Sequence, residues 1–141
     1  LARAVLHHAR DLPAFCREAA RVLRPGGRLL AIREHVISKA SDLAAFLAAH
    51  PLHRLYGGEN AFLLADYEGA LRAAGLSIER RLNPLASDIN LAPQTRDQLL
   101  AGQPIWWRML PRPAGLALLK AVGARPHSPG RLYSFLACKP A

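Results

Sequence analysis

Polar side chains that could handle a proton occur at two points where an apolar stretch of this sequence ends. His7 and His8 follow a short apolar segment, and Arg33, Glu34 and His35 follow a continuous apolar run. An imidazole with an ordinary pKa near ~6.5 can take up or release a proton close to neutral pH. We therefore predict catalytic roles for His8, Glu34 and His35. The plainer alternative is that these are solvated residues at the ends of two strands.

A third polar stretch has the sequence HPLHRLYGGEN and reads as a surface loop, whose glycine pair could act as the hinge of a lid. We predict that His50, His53 and Tyr56 bind substrate, together with Arg33. The three-residue spacing of the two histidines could suit a metal ion on a helix. Because Pro51 separates them and no cysteine or carboxylate stands at ligand spacing, we predict no metal site.

A helix and a strand must position these residues. Asp11 is a suitable N-cap, and apolar side chains recur at three- and four-residue steps from Leu12 to Leu23. Pro25, Gly26 and Gly27 then turn the chain. The run 29–32 indicates a strand that is buried on both faces, as parallel strands between helical layers are. Ligands bind at the carboxyl ends of such strands, so the charged residues that follow this run would face a substrate.

Two further strands are predicted near the end of the chain, at 76–82 and 132–138, with an amphipathic helix before the first of them. Residues 83–130 lie between these strands and contain several prolines. Thr95 and Gln98 have the spacing of a capping box within this segment. We expect 83–130 to be a mostly helical insertion before the last strand.

Length and composition favour one globular domain. The chain has 141 residues, of which 51% are hydrophobic, and a formal net charge of +9. The basic residues form no run of five, so only the net charge would favour nucleic-acid binding. We therefore predict no nucleic-acid partner. No apolar run approaches the ~20 residues that span a bilayer. Cys16 and Cys138 lie in apolar patterns, which is typical of buried thiols in a reducing cytoplasm, and we predict a cytoplasmic location.

Four motifs, in this order along the chain, resemble motifs in the C-terminal half of class I S-adenosylmethionine-dependent methyltransferases with a type 11-like methyltransferase domain. The family has a leucine-histidine-histidine loop after its fourth strand and an R-V-L-(K/R)-P-G-G turn before its fifth. It also has an AL-xx-AGL helix end and a final F-x-A-x-K-P strand. The matching stretches here are VLHH at 5–8, RVLRPGGRLL at 21–30, YEGALRAAGL at 67–76 and YSFLACKP at 133–140.

The resemblance implies an α/β fold with a partial Rossmann-like sheet and helices on its faces. The sheet would be mixed, because the final strand of the family inserts antiparallel beside the fifth. It also implies S-adenosylmethionine as cofactor and a small-molecule methyl acceptor. Leu6 and His7 would then bind the cofactor, since this loop borders its methionine end in the family.

The family's glycine-rich cofactor loop and the acidic residue that holds the ribose are not found in the sequence. Gly26 and Gly27 are no substitute, because they follow a helix and precede a strand, which is the reverse of the order that a cofactor loop needs. The chain also starts without methionine. We therefore expect residues 1–141 to be the C-terminal part of a methyltransferase domain and a piece of a longer protein.

Two other classes of function stay open on the sequence. A non-catalytic remnant or interaction module would pair with another chain through an open sheet edge, and self-association through that edge is expected of the fragment. A nucleic-acid binder has only the net charge in its favour. We expect a small-molecule substrate and neither a nucleic acid nor a membrane as partner.

Overall fold

The computed structural model describes residues 1–125 and 131–141, whose strands form one mixed sheet. The strands are β1 (Ala2–Arg3), β2 (Arg28–Ile37), β3 (Phe62–Leu63), β4 (Ser77–Leu82) and β5 (Arg131–Cys138). Their order is β1-β2-β5-β4, with β3 also paired to β2. Strands β1 and β3 run parallel to β2, whereas β5 runs antiparallel to both β2 and β4. The predicted α/β fold, with its antiparallel final strand beside the buried strand, is confirmed.

Helices account for most of the remaining described residues. They are α1 (Leu12–Val22), α2 (Asp42–Ala49), α3 (Pro51–Tyr56), α4 (Leu64–Ala73), α5 (Asp88–Leu91), α6 (Arg96–Ala101), α7 (Ile105–Arg108) and α8 (Arg112–Gly123). A single turn of 3-10 helix, Leu6–His8, follows β1. Within residues 1–125 and 131–141, none of these helices has the length and apolar character that crossing a bilayer requires.

The main core lies between the sheet and the pair α1 and α4. Leu12 and Cys16 of α1 and Leu71 of α4 are buried against sheet residues such as Ala31 and Phe135. Helix α1 begins where the sequence indicates, because the Asp11 carboxylate accepts a hydrogen bond from the Ala14 amide at 2.8 Å. This layer holds β1 and β2 in place, and with them the polar residues that follow β1.

The central strand β2 differs from its predicted form in two respects. Leu29 and Ala31 face the helices, but Leu30 points to the other face and is 43% exposed, so the strand is not buried on both faces. The strand also continues to Ile37. Glu34 and its two neighbours in sequence therefore lie inside β2 rather than beyond its end.

Residues 83–125, between β4 and β5, carry the four helices α5 to α8. We call this part the helical segment. The predicted capping box at the start of α6 is present, since Thr95 and Gln98 exchange side-chain to backbone hydrogen bonds. The helical segment joins the sheet through Asn90, whose side-chain amide donates to the carbonyls of Leu82 and Asn83. The predicted insertion also includes 126–130, which lie outside the described residues.

Candidate active site

The polar residues predicted at two strand ends meet along one edge of β2. Strand β1 pairs with β2 at Ala31 and Ile32, whereas β3 pairs with it farther along, at Val36 and Ile37. Because β5 occupies the other edge, β1 and β3 share this one, and residues 33–35 lie in the interval between them. The chain leaves β1 at this interval and forms the 3-10 turn across it.

The side chain of Glu34 lies in this interval, and its carboxylate is buried. Its oxygens accept hydrogen bonds from the Val5 amide at 3.2 Å, the His7 amide at 3.1 Å and His7 Nδ1 at 2.8 Å. The side chain is fully buried, and burying a charge is tolerated only when such partners are present. The expectation that Glu34 faces a substrate is therefore not met by its side chain, which instead holds the 3-10 turn against β2.

The two adjacent histidines of the turn have different surroundings. The His7 side chain is 2% exposed, and its Nε2 lies 3.5 Å from Oε2 of Glu59. The His8 side chain is 43% exposed, and its Nδ1 lies 2.9 Å from the Gly58 carbonyl oxygen. A carbonyl oxygen only accepts, so His8 Nδ1 carries the hydrogen and Nε2 of the neutral ring keeps its lone pair.

His35 lies beside these two histidines. Its ring centroid is 4.7 Å from that of His7 and 5.1 Å from that of His50. Burial, and after it the positive charges of the neighbouring histidines and of Arg33, lower the pKa of His35 to about 4. The buried Tyr67 hydroxyl donates to the His35 carbonyl at 2.9 Å and fixes this part of β2. His35 is therefore a neutral imidazole at neutral pH.

We use the name histidine edge for the group formed by His7, His8, Glu34, His35 and Glu59. One potential ligand atom from each of His7, His35 and Glu59 lies within 4.8 Å of the other two. The sequence analysis did not single out Glu59, whose side chain is only 9% exposed. The signal available in the sequence is an acidic residue directly after the glycine pair of a histidine-containing loop.

The residues predicted to bind substrate do not gather at one place. Arg33 donates to the Ile89 and Ala92 carbonyls and so reaches towards the helical segment. His50 contacts His35, and its Nδ1 accepts from the amide of His53. Tyr56 is 84% exposed at the end of α3.

Helix α3 also corrects the prediction that HPLHRLYGGEN is a loop throughout. Pro51 occupies the first turn of this helix, where its missing N–H costs little and its fixed φ suits the helix. The prediction from the sequence used this proline as an argument against a metal site at His50 and His53. The helix carries His53, whose Nδ1 is buried without a hydrogen-bond partner.

Two non-glycine residues near this interval have left-handed backbone, one directly after β1 and one within β2. Ala4 has φ of 53° and Arg33 has φ of 62°. Such a conformation costs an L-residue roughly 1–2 kcal/mol. It persists where the surrounding contacts fix the backbone, and it is common at functional sites. Here it turns the chain from β1 into the 3-10 turn and accompanies the irregular pairing of β2 with β5.

Comparison with known proteins identifies the architecture. A family model described as a methyltransferase domain matches residues 1–31. The structure of the [4+2]-cyclase SpnF is 26% identical, with a TM-score of 0.54 over 99% of this chain and 48% of that one. The fold is that of a class I methyltransferase. Its sequence motifs resemble the same family, as the sequence analysis expected.

Two more distant structures show the same fold. A candidate sarcosine dimethylglycine methyltransferase from Galdieria sulphuraria is 19% identical, with a TM-score of 0.51 over 98% of this chain and 51% of its own. A chain from the complex of the Haloferax volcanii Trm112 methyltransferase activator with its candidate methyltransferase is 15% identical, with a TM-score of 0.50 over 99% and 52%. The chain thus spans about half the length of these structures. No curated protein matches the sequence significantly.

The described residues supply at most part of an S-adenosylmethionine site. Gly26 and Gly27 lie at the start of β2, where the Gly26 amide donates to the Lys139 carbonyl, and so at the opposite end of the strand from the histidine edge. Among residues 1–125 and 131–141, no glycine-rich turn leads from a strand into a helix. Leu6 and His7 bury their side chains, the His7 amide donates to Glu34, and the Leu6 carbonyl accepts from the Ala9 amide.

Proposed function

We propose that this chain takes part in S-adenosylmethionine-dependent methyl transfer to a small-molecule acceptor, and that the histidine edge borders the acceptor. The observation that carries the proposal is the meeting of His7, His8, His35 and Glu59 where β2 changes partner from β1 to β3. Ligands of open α/β sheets bind at such points, beyond the carboxyl ends of strands. Residues 1–141 would form the C-terminal part of the methyltransferase domain.

The chain's own residues would divide the work between contact and positioning. When bound, the cofactor supplies an electrophilic methyl group on a sulfonium sulfur. Leu6 and His7 would border its methionine end through their backbone, and Glu34 would act as a positioning residue because it holds the 3-10 turn. His35, a neutral ring within the edge, would pack beside the acceptor and help to exclude water.

His8 is the member of the histidine edge best placed to act as a general base. Its side chain is 43% exposed, and the Gly58 carbonyl holds its Nδ1 hydrogen, which leaves Nε2 able to accept a proton. If the acceptor is a hydroxyl or an amine, His8 Nε2 would take up the proton that the acceptor loses on methylation. His50, beside His35, is the predicted substrate-binding residue nearest this group.

A non-catalytic interaction module is the second candidate, and the free edge of β1 favours it. The exposed groove along this edge is lined by apolar side chains, among them Leu1, Phe15, Val22 and Leu29. An uncovered strand edge invites pairing with another chain. One similar structure is a complex with a methyltransferase activator, and another is titled a cyclase, so the fold leaves partner and reaction open. A cytoplasmic location belongs to either proposal.

Calorimetric titration of the purified chain distinguishes the two candidates. We expect saturable binding of S-adenosylhomocysteine with a Kd of about micromolar order. If Leu6 and His7 border the methionine end as proposed, methylthioadenosine, which lacks the amino-acid group, should bind at least about tenfold more weakly. A chain that gives no binding heat at millimolar cofactor, but sediments as a defined oligomer, would overturn the methyltransferase proposal in favour of the interaction module.

A further inference from the structure

We propose that the histidine edge is a binding site for a borderline divalent metal ion of the Zn²⁺ or Fe²⁺ class, with His7 Nε2, the His35 ring and the Glu59 carboxylate as ligands. The proposal goes beyond methyl transfer, since an ion could be held there whatever reaction the protein performs. It rests on the placement of three side chains from segments that are 24 to 52 residues apart in sequence, taking the differences between positions 7, 35 and 59.

The distances suit a first coordination shell. The three potential ligand atoms lie within 4.8 Å of one another, and His7 Nε2 is 3.5 Å from Oε2 of Glu59. An ion with metal–ligand distances of about 2.0–2.2 Å in tetrahedral geometry separates its ligand atoms by roughly 3.3–3.6 Å. The His7–Glu59 pair already has this separation, and the other separations, which are at most 4.8 Å, would have to shorten by up to about 1.2–1.5 Å.

The charges around His7 also favour a cation at this point. Both of its ring nitrogens face carboxylate oxygens: Nδ1 lies 2.8 Å from Glu34 and Nε2 lies 3.5 Å from Glu59. His7 Nε2 and the Glu59 carboxylate thus face each other as two potential ligand atoms, and a positive charge placed between them would contact both. A separation of 3.5 Å is longer than an ordinary N–H···O bond, and it leaves room for an ion bound off the line joining the two atoms.

Glu34 has the role that a carboxylate commonly plays behind a metal-bound histidine. Metal-ligating histidines usually donate their other ring N–H to a carboxylate or carbonyl, which fixes the tautomer and the ring orientation. Glu34 does this for His7 and is itself held by the amides of Val5 and His7. The Nε2 lone pair of His7 is therefore preoriented towards Glu59 and His35.

The donor set selects the class of ion. Two imidazole nitrogens and one carboxylate oxygen suit Zn²⁺, Fe²⁺, Co²⁺ or Mn²⁺, whereas Ca²⁺ and Mg²⁺ prefer all-oxygen shells. Two histidines and one carboxylate leave coordination positions for water or for a substrate oxygen. His8 is the exposed member of the edge, and its Nε2 is 3.9 Å from Oε2 of Glu59, so an additional ligand would enter from its side.

Titration of the intact chain with Co²⁺, followed by its visible d–d absorption, tests the proposal, and competition with Zn²⁺ and Mn²⁺ orders the affinities. We expect one equivalent of Co²⁺ to bind with the spectrum of a four- or five-coordinate ion, and Zn²⁺ to displace it. Glu59→Gln and His35→Gln should each weaken binding by at least about tenfold, and Glu34→Gln should do so by roughly 10–100-fold. Glu18→Gln, on the exposed face of α1, is the matched control and should bind as the unaltered chain does.

Glu59→Gln keeps the test decisive if the variants of β2 fail to fold, because Glu59 lies in the segment between α3 and β3 and outside both elements. Circular dichroism of that variant checks its fold. Binding of Co²⁺ that is equally strong in Glu59→Gln and His35→Gln would assign the ion to other residues and overturn the proposal. So would the failure of Co²⁺, Zn²⁺ and Mn²⁺ to bind the unaltered chain. Metal binding without cofactor binding would leave this site standing and remove only the methyltransferase proposal.

Discussion

The histidine edge and the helical segment both contain many polar side chains, but they hold them in opposite ways. In the histidine edge, Glu34 and His7 are buried and bonded to each other across 27 residues of sequence. In the helical segment, ion pairs such as Arg112 with Asp97 lie in solvent, with side chains 66% and 57% exposed. Large apolar side chains are exposed there too, including Trp106 at 61%.

The difference shows that burial, rather than the number of polar contacts, determines how much each polar contact contributes to stability. A buried carboxylate cannot exchange its partners for water, so each lost partner leaves an uncompensated charge or donor. When an exposed ion pair is broken, both groups form hydrogen bonds with water instead, and the net loss of stability is small. Substitutions in the two regions should therefore have very different effects on stability.

The largest effect is expected from Glu34→Ala. Removal of this carboxylate leaves the Val5 and His7 amides and His7 Nδ1 without their partner, and should lower the free energy of unfolding by about 3–5 kcal/mol. Urea denaturation measures the change. Glu79→Ala is the control: this carboxylate pairs with the exposed Arg28, and its loss should cost about 1 kcal/mol or less. Equal losses of stability in the two variants would contradict the distinction between buried and exposed polar contacts.

Asn90→Ala tests the one buried polar anchor of the helical segment. Its amide donates to two carbonyls at the end of β4, and its oxygen accepts from the Ser134 hydroxyl. We expect a loss of about 2 kcal/mol, measured by the same denaturation. Asn83→Ala, which removes an exposed bond to the Lys120 carbonyl, should cost less than about 1 kcal/mol. A larger loss in Asn83→Ala than in Asn90→Ala would contradict the assignment of the anchor.

Alkaline pH should weaken the core behind the histidine edge through Cys16. Burial raises the pKa of this thiol to about 11, whereas the unfolded chain releases the same proton near 9. Between these values the unfolded state binds fewer protons than the native state, so stability falls as pH rises, by up to about 2 kcal/mol. Cys16→Ala should lack this part of the slope in denaturation curves between pH 8.5 and about 11. An unchanged slope in that variant would exclude Cys16 as its source.

The smallest effect is expected from Arg112→Ala in the helical segment. The side chain pairs with Asp97 through two hydrogen bonds, but both groups are in contact with solvent. We expect no resolvable change in the denaturation midpoint at physiological salt. A clear decrease in the midpoint would show that this exposed ion pair contributes to stability. It would then contradict the contrast with the buried carboxylate of Glu34.

The sequence correctly predicted the starts of helices that are fixed by hydrogen bonds between residues close together in the chain. Asp11 marked the start of α1, and the Thr95–Gln98 spacing marked the start of α6. The end of β2 was placed too early, because Glu34 reads as a solvated residue until its partners, 27 and 29 residues away in sequence, are known. Helix α3 was missed because HPLHRLYGGEN was predicted to be a surface loop, although Pro51 suits the first turn of a helix.

The candidate site was predictable in part. His7, His8 and His35 were singled out by their positions after apolar runs, and the structure brings their rings together. Glu59 was missed, since nothing in its local sequence shows that the loop after α3 folds back onto the 3-10 turn. Arg33 alternates with Glu34 along β2 and so reaches the opposite side of the sheet, which a strand ending at Ile32 could not reveal.

The most direct test of the account follows the imidazole signals of histidine-labelled protein by NMR during titration with S-adenosylhomocysteine. The account predicts saturable shifts for His7, His8 and His35, with the indole N–H signals of Trp106 and Trp107 in the helical segment unchanged. Shifts confined to the two tryptophans, or no shifts in the histidines at saturating ligand, would contradict the placement of the methyl-transfer site at the histidine edge.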